Sequence, residues 1–281
     1  AKRDRRTASV IPTQSLSITL VQLDAGEDIE RNLESARCGV RKAAEAGSKL
    51  VIFPENVLYR GTRCGVRKTA QTAAEYRQLL APLAREFKTV CVWGGIALRD
   101  GDQVYNALVA FDERGELICE YRKIHLFQLL DTDSPVDERK TFAAGTQPAE
   151  FSVAGWRIGA GICYDLRFPE LYRCYAGAHL MLCPASFTAF TGKAHWQVLA
   201  RARAIENQCF FAAVNQCGTH EALGVETYGH SLVADPWGLV LEELDAAPGE
   251  MHCVLEPSAL TRARATVPAL NSIQQGRLSP G

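Results

Sequence analysis

The first third of the chain alternates between short apolar runs and segments with one apolar face. Residues 16–21 and 50–53 are typical of buried strands, and residues 29–44 between them carry apolar side chains at helical spacing. Gly47 is suited to end that helix. A second helix is predicted over residues 73–87. Because strands and helices alternate, we predict a layered α/β fold with sheets inside and helices outside.

Apolar runs become more frequent further along the chain. Residues 104–111 and 117–121 predict a hairpin around the polar turn at 112–115. The pattern lapses over residues 127–148, and long irregular stretches of this kind commonly carry function. Further strands are predicted at 90–95, 178–183, 210–215, 231–234, 239–244 and 251–255, with a helix at 195–207.

One stretch, residues 157–171, combines a small apolar strand with the start of a helix at Pro169 and Glu170. Cys163 stands where that strand should stop. A rigid strand end facing the positive end of the following helix favours the thiolate, so Cys163 is a candidate nucleophile. The alternative interpretation is a buried small apolar residue, as most free cysteines are.

Two more reactive side chains follow predicted strands, Glu55 after residues 51–54 and Lys123 after 117–121. Sites in α/β proteins form beyond the carboxyl ends of strands, so both could meet Cys163. A carboxylate can take the thiol proton, and an ammonium can stabilise the thiolate and an oxyanion. The backbone N–H of Tyr164 is a second candidate oxyanion donor. Taken singly, Glu55 also suits a surface cap and Lys123 an exposed basic rim.

Composition narrows the possible partners. The formal net charge of −1 gives no electrostatic reason to expect nucleic acid or anionic lipid, and no apolar run approaches the length of a membrane span. The ten cysteines include no CxxC pair, which favours free thiols and a cytoplasmic location. His125, His195 and His230 lack metal-ligand spacing and are interpreted as structural hydrogen-bonding residues, so no metal is predicted.

Residues 37–42 (RCGVRK) recur as residues 63–68. The flanking residues of the two copies do not match. We therefore do not interpret the recurrence as a structural repeat.

The chain resembles the nitrilase superfamily of carbon–nitrogen hydrolases. The stretches that carry the resemblance are 53–56 (FPEN), 121–127 (YRKIHLF), 161–171 (GICYDLRFPEL), 192–196 (GKAHW), 201–208 (RARAIENQ), 228–231 (YGHS) and 235–238 (DPWG). The resemblance implies a four-layer αββα sandwich and a catalytic triad of Glu55, Lys123 and Cys163. It also implies a second active-site glutamate, for which Glu138 is the matching position; on its own sequence Glu138 equally suits a solvated loop charge.

Within that superfamily the chain is similar to the Nit branch, which holds omega-amidases and deaminated-glutathione amidases. The resemblance implies an amidase that needs no cofactor and acts on a small carboxylate-bearing amide through a cysteine thioester. An N-carbamoyl hydrolase or a nitrilase of the same superfamily remains an alternative, as does a thiol redox protein using Cys163. We expect one domain over residues 15–268, a flexible N-terminus over 1–14 and a C-terminal tail over 269–281.

A homo-oligomer, a homodimer or larger, is also expected. Trp196 and Leu199 lie on one face of the predicted helix at 195–207, whereas Val198, Ala202 and Ile205 lie on another. The helix of a monomer needs only one apolar stripe. Similar proteins of the superfamily pair through the matching helices. The alternative is that the tail after residue 257 covers the second stripe.

Overall fold

The computed structural model describes residues 10–130 and 136–273. The strands are β1 (Leu16–Gln22), β2 (Leu50–Ile52), β3 (Val90–Asp100), β4 (Gln103–Phe111), β5 (Leu117–Arg122), β6 (Gln128–Leu129), β7 (Val136–Asp137), β8 (Glu150–Val153), β9 (Trp156–Ala160), β10 (Leu180–Ala185), β11 (Phe210–Asn215), β12 (Thr219–His220), β13 (Val225–Glu226), β14 (Leu232–Ala234), β15 (Val240–Glu243) and β16 (Gly249–Leu255). The helices are α1 (Ile29–Glu45), α2 (Arg63–Thr69), α3 (Ala73–Phe87), α4 (Pro169–Arg173), α5 (Ala189–Asn207) and α6 (Pro257–Thr266), with 3₁₀ helices at Glu138–Lys140, Cys163–Arg167 and Ala269–Ser272.

Two six-stranded mixed sheets form the centre of the molecule. The strand order is β16-β1-β2-β3-β4-β5 in the first sheet and β15-β14-β11-β10-β9-β8 in the second. The middle of each sheet is parallel, through β1-β2-β3 and β9-β10-β11, and the edges are antiparallel. Parallel strands need faces that are covered on both sides, which their nearly continuous apolar sequences allow.

Alternation along the strands builds the layers. In β2, Leu50 and Ile52 join the core that the two sheets share, whereas Val51 points into a second core with α1 and α3. Helix α5 packs on the outer face of the other sheet, against β11 and β14. The predicted four-layer αββα sandwich is confirmed.

Local signals explain the helix ends. The Asp28 side chain accepts a hydrogen bond from the Arg31 N–H and caps α1. Thr72 and Glu75 form a reciprocal capping box that starts α3, and α3 covers the residues predicted for it. Helix α5 begins earlier than the predicted residue 195, because Thr188 caps it from the preceding loop.

Several elements differ from expectation. Strand β3 was predicted to stop at residue 95 but continues to Asp100, because a bulge between Trp93 and Ile96 keeps the ladder going past two glycines. The lapse at residues 127–148 contains the short strands β6 and β7 and a 3₁₀ helix. Helices α2 and α6 and strand β8 were not predicted.

The two ends lie partly outside the described residues. Residues 1–9 of the predicted flexible N-terminus and 274–281 of the predicted tail are not described. Within the described part, the carbonyl of Gln14 accepts a hydrogen bond from the indole of Trp156, and Leu270 is buried. Among the helices in the described ranges, none has the length and apolar character needed to cross a membrane.

Candidate active site

The candidate reactive residues all follow the carboxyl ends of strands. Glu55 follows β2, Lys123 follows β5 and Cys163 follows β9, and the three line one cleft between the two sheets. Glu138 lies in the 3₁₀ helix after β7 and lines the same cleft. The topology therefore brings together the three strand-end residues and the glutamate that the resemblance implied.

Lys123 lies between two carboxylates. Its Nζ is 2.8 Å from Glu55 Oε1 and 2.8 Å from Glu138 Oε2. The Lys123 side chain is fully buried, and Glu55 is only 2% exposed. The surface cap for Glu55 and the exposed basic rim for Lys123 were therefore the wrong alternatives. Glu138, with a side chain 16% exposed, is not a solvated loop charge.

Two further groups hold Glu55, and the sequence did not identify them. Asn106 Nδ2 donates to Glu55 Oε1 at 2.8 Å and lies 3.4 Å from Glu138 Oε1. The backbone N–H of Ser186 donates to Glu55 Oε2 at 2.8 Å. An asparagine inside the apolar strand β4 is a signal that could have been used, because a buried polar side chain needs a partner.

Asp165 connects the residues around Lys123 to the turn that carries Cys163. Its carboxylate accepts from the Tyr121 hydroxyl at 2.7 Å and from the Ile162 N–H at 2.9 Å. It also accepts from the His125 backbone N–H at 3.1 Å and lies 2.7 Å from His125 Nδ1. These partners flank Lys123 on one side and precede Cys163 on the other. Asp165 thus fixes the distance between the two segments.

Cys163 has an unusual backbone conformation. Its φ is +46°, a left-handed value that side chains other than glycine seldom adopt. This conformation turns the chain from the extended Ile162 into the 3₁₀ helix Cys163–Arg167 and leaves the cysteine 7% exposed at the cleft. The N–H of Tyr164 lies in the first turn of that helix, where backbone donors have no partner within the helix.

Burial and charge set the protonation of the cluster. Burial disfavours the carboxylate of Glu55, but the Lys123 charge and hydrogen bonds outweigh it and lower the pKa of Glu55. Burial likewise disfavours the ammonium of Lys123, yet the two carboxylates raise its pKa well above the usual value. Burial raises the pKa of Glu138, and the Lys123 charge only partly offsets this.

The surroundings of Cys163 disfavour the thiolate that its position at a strand end predicts. Burial raises the pKa of the Cys163 thiol well above its ordinary value, and the Glu55 charge adds to this, while the Lys123 charge opposes it too weakly. Both shifts favour a neutral Cys163 thiol beside an ionised Glu55 carboxylate. A base must remove its proton when it reacts.

The three histidines each contact a neighbouring side chain. His125 stacks on Phe168 with ring centroids 3.7 Å apart, His195 Nδ1 is 3.2 Å from Arg167 and His230 is 3.3 Å from Glu243. Within residues 10–130 and 136–273, no group of three or more His, Cys, Asp or Glu side chains is arranged to hold a metal ion.

The cleft has a volume of about 360 Å³, within the range of small-molecule sites. Its floor is the buried cluster of Glu55, Lys123 and Cys163. The hairpin β12–β13 lines one wall through His220 and Val225. Burial lowers the pKa of His220 to about 4, so this side chain adds no charge to the cleft near neutral pH.

The family model described as carbon-nitrogen hydrolase matches residues 17–254, which span every residue of this cluster. The chain belongs to the carbon-nitrogen hydrolase family. This hydrolase is 34% identical over 262 residues to omega-amidase NIT2 from Homo sapiens, covering 90% of this chain and 93% of that protein. It is 33% identical over 259 residues to deaminated glutathione amidase from Synechocystis sp. strain PCC 6803, covering 89% and 95% respectively.

Solved structures agree with this membership. Nit3 from Saccharomyces cerevisiae, a member of branch 10 of the nitrilase superfamily, has a TM-score of 0.85 and 32% identity, covering 96% of the hydrolase and 100% of Nit3. A mutant amidase from Nesterenkonia sp. AN1 has a TM-score of 0.76 and 28% identity, covering 92% and 100%. That structure shows the Michael addition of acrylamide at the active-site cysteine of the amidase. The resemblance to the nitrilase superfamily is confirmed.

Proposed function

We propose that this carbon–nitrogen hydrolase is an amidase with Cys163 as nucleophile and Glu55 as general acid and base. The observation that carries the proposal is the single buried cluster in which Lys123 Nζ contacts both Glu55 and Glu138 at 2.8 Å beside the Cys163 thiol. The covalent adduct at the active-site cysteine of the Nesterenkonia amidase supports the role of Cys163.

In the first step the Cys163 thiol gives its proton to Glu55 as the sulfur attacks the amide carbon. The proton must move because the resting thiol is neutral. The carbonyl oxygen becomes an oxyanion, which the Lys123 ammonium and the Tyr164 N–H stabilise. Glu55 then returns the proton to the leaving nitrogen. The C–N bond breaks, ammonia or an amine departs, and a thioester remains on Cys163.

In the second step Glu55 takes a proton from water as the water oxygen attacks the thioester carbon. The C–S bond breaks, the sulfur recovers a proton from Glu55, and a carboxylic acid is released. Glu138 contacts Lys123 and the N–H of Phe127, so its role is to hold the ammonium in place rather than to transfer protons. Neither step uses a metal or an organic cofactor.

We propose a small amide that carries a carboxylate as the substrate class. The support is the likeness to omega-amidase and deaminated glutathione amidase, each about one-third identical over most of the chain. N-carbamoyl hydrolysis and nitrile hydrolysis are the alternatives within the family. A thiol redox protein is the alternative from another class; it would give Lys123 and Glu55 no role.

A panel of amides, nitriles and N-carbamoyl compounds tests the function by ammonia release. We expect amides to react fastest, with an acyl adduct on the Cys163 peptide by mass spectrometry. Cys163→Ala should abolish turnover, whereas Cys174→Ala, at an exposed thiol, should leave it unchanged. Glu55→Gln and Lys123→Ala should each lower kcat by about 10²–10⁴-fold. An adduct on another cysteine, or a nitrile turned over faster than every amide, would refute the proposal.

We further propose a homo-oligomer that pairs through α4 and α5. Of the two predicted stripes on α5, Trp196 is fully buried, whereas Val198 is 64% and Ile205 is 49% exposed. Trp237 and Leu239 are also exposed, and they flank Gly238, which lies against Ile205. The described part of the tail packs on Gln208 instead and does not cover this patch. Sedimentation equilibrium tests the proposal, and a single species near 30.8 kDa at all concentrations would refute it.

A cytoplasmic location remains a proposal that rests on cysteine chemistry. All ten cysteines are free thiols, and most of them are buried in the core. Free thiols of this kind persist in reducing compartments.

A further inference from the structure

Two cationic side chains line the cleft without forming an ion pair. Arg63 and Lys140 are both exposed at its mouth. Neither forms a hydrogen bond or an ion pair through its side chain with any residue in 10–130 or 136–273. The charge of Lys140 helps to lower the pKa of Asp137, but the Asp137 carboxylate is bonded to Arg139. The other two cations of the cleft differ, because Lys123 is paired with two glutamates and Arg60 is paired with Asp24.

The two free cations lie on neighbouring elements. Arg67 Nη2 in α2 donates to the carbonyl oxygen of Lys140 at 3.1 Å, which joins α2 to the 3₁₀ helix that carries Glu138. Arg63 lies one turn before Arg67 on the same face of α2, and Val66 on that face also lines the cleft. The joined elements therefore present Arg63 and Lys140 to the same opening.

The repeated sequence RCGVRK shows that position, not sequence, leaves Arg63 unpaired. In the first copy, within α1, all three cations have a carboxylate partner: Arg37 with Glu86, Arg41 with Glu45 and Lys42 with Glu250. In the second copy, which forms most of α2, Arg63 faces a cleft instead of a glutamate.

We propose that Arg63 and Lys140 bind the carboxylate of the substrate, so that the enzyme selects mono-amides of dicarboxylic acids over neutral amides. The inference rests on the proposed amidase function. The amide carbon would lie on the buried floor at Cys163, and the carboxylate at the other end of a short chain would lie between the two cations. A guanidinium matches a carboxylate in a bidentate geometry, and the ammonium adds a second charge.

The test compares two amides of the same shape. Succinamate carries a carboxylate, and 4-oxopentanamide replaces that group with a neutral acetyl group. Wild-type kcat/KM should favour succinamate by about 100-fold, because two charged hydrogen-bonding groups are each worth about tenfold. Arg63→Gln and Lys140→Gln should each raise the KM for succinamate about tenfold, and leave kcat and the reaction of 4-oxopentanamide nearly unchanged.

Lys68→Gln is the matched control. Lys68 is an exposed cation on the same short helix that does not line the cleft. This variant should keep the wild-type preference. Equal kcat/KM values for the two amides in the wild type would overturn the inference while leaving the amidase proposal intact. An equal loss on both amides in Arg63→Gln would also overturn it, because that result indicates a structural role.

A binding measurement separates this inference from the proposed function. In Cys163→Ala, calorimetry should give a dissociation constant for succinamate about 100-fold lower than for 4-oxopentanamide, and Arg63→Gln in that background should remove most of the difference. Anion-selective binding that depends on Arg63 supports the inference even where the wild type hydrolyses neither amide, a result that would overturn the amidase proposal alone. Binding that is equal for both amides overturns the inference.

Discussion

Replacing Asp165 with asparagine should weaken the hydrogen bonds that connect the residues around Lys123 to the turn that carries Cys163. Asp165 is fully buried and accepts hydrogen bonds from three donors besides the His125 ring: the Tyr121 hydroxyl and the backbone N–H groups of His125 and Ile162. An asparagine has nearly the same shape but only one acceptor oxygen. Its NH₂ group must face either the Ile162 N–H or the His125 N–H, because each carboxylate oxygen binds one of them.

The magnitude follows from that count. One buried backbone N–H is left without a partner in either orientation, which costs about 1–3 kcal/mol. The remaining hydrogen bonds lose the carboxylate charge, which weakens them by about 1 kcal/mol or more. We therefore expect Asp165→Asn to lower the free energy of unfolding by about 2–4 kcal/mol. We also expect kcat to fall at least tenfold, because small displacements of catalytic groups are costly.

Urea unfolding and ammonia-release kinetics measure the two effects. Asp112→Asn is the control, since Asp112 also accepts two backbone N–H bonds but lies at the far end of β5 from Lys123. One oxygen, Oδ1, accepts both of those bonds, so an asparagine can keep them, and kcat should stay at the wild-type value. An Asp165→Asn protein with wild-type stability and kcat would refute the coupling role.

Two further predictions concern backbone space and pH. Gly95→Ala should lower kcat more than tenfold, because a Cβ there would lie 2.4 Å from Glu55 Cγ. Gly101→Ala is the control: this glycine has a similar φ but open space around it, so the variant should lose stability and keep its kcat. Kinetics and thermal unfolding of both variants measure the two effects. Burial, with Arg264 and Arg157, lowers the pKa of His179 to about 4, so the unfolded state binds more protons between the usual value of 6.5 and 4. The stability that His179 contributes should be fully present above pH 6.5 and should decrease as the pH falls toward 4. In a pH series of thermal unfolding, His179→Asn should therefore lose less stability over this range than the wild type.

Periodicity predicted the layers of this fold because each central strand is apolar and each long helix has an apolar face. The hairpin of β4 and β5 and the bounds of α3 follow directly from turn residues and caps. The short helix α2 has no buried residue, so no apolar face indicated it. The sequence shows the second copy of RCGVRK in this helix, but only the tertiary structure shows that Arg63 faces a cleft.

The candidate site was predictable as a set of strand-end residues, and Glu138 entered through the resemblance alone. The sequence did not predict the roles of Asn106 and Asp165, because these roles depend on partners distant in sequence. Asn106 contacts Glu55, and Asp165 contacts Tyr121. For Cys163 the strand end predicted a thiolate, whereas burial beside the Glu55 carboxylate favours the neutral thiol, and the depth of burial cannot be read from a strand end.

The buried cluster around Lys123 and Cys163 has several features that lower the stability of the folded protein. Buried ion pairs seldom repay the desolvation of their charges, and Lys123 is held among carboxylates with a fully buried side chain. Cys163 adds a left-handed backbone, a conformation worth about 1–3 kcal/mol of strain. Asn106 donates to both glutamates, which leaves its own buried Oδ1 without a partner among the described residues.

These costs fall at one cleft, while the surrounding sheets satisfy ordinary packing rules. A fold can hold such a cluster only if neighbouring structure fixes it more strongly than the strain disrupts it. Here Cys163 belongs to the apolar core that the two six-stranded sheets share. Apolar residues of similar size would be the more stable choice for Lys123 and Glu55. Their presence is therefore better explained by chemistry than by stability, which supports the proposal that the reaction takes place at this cleft.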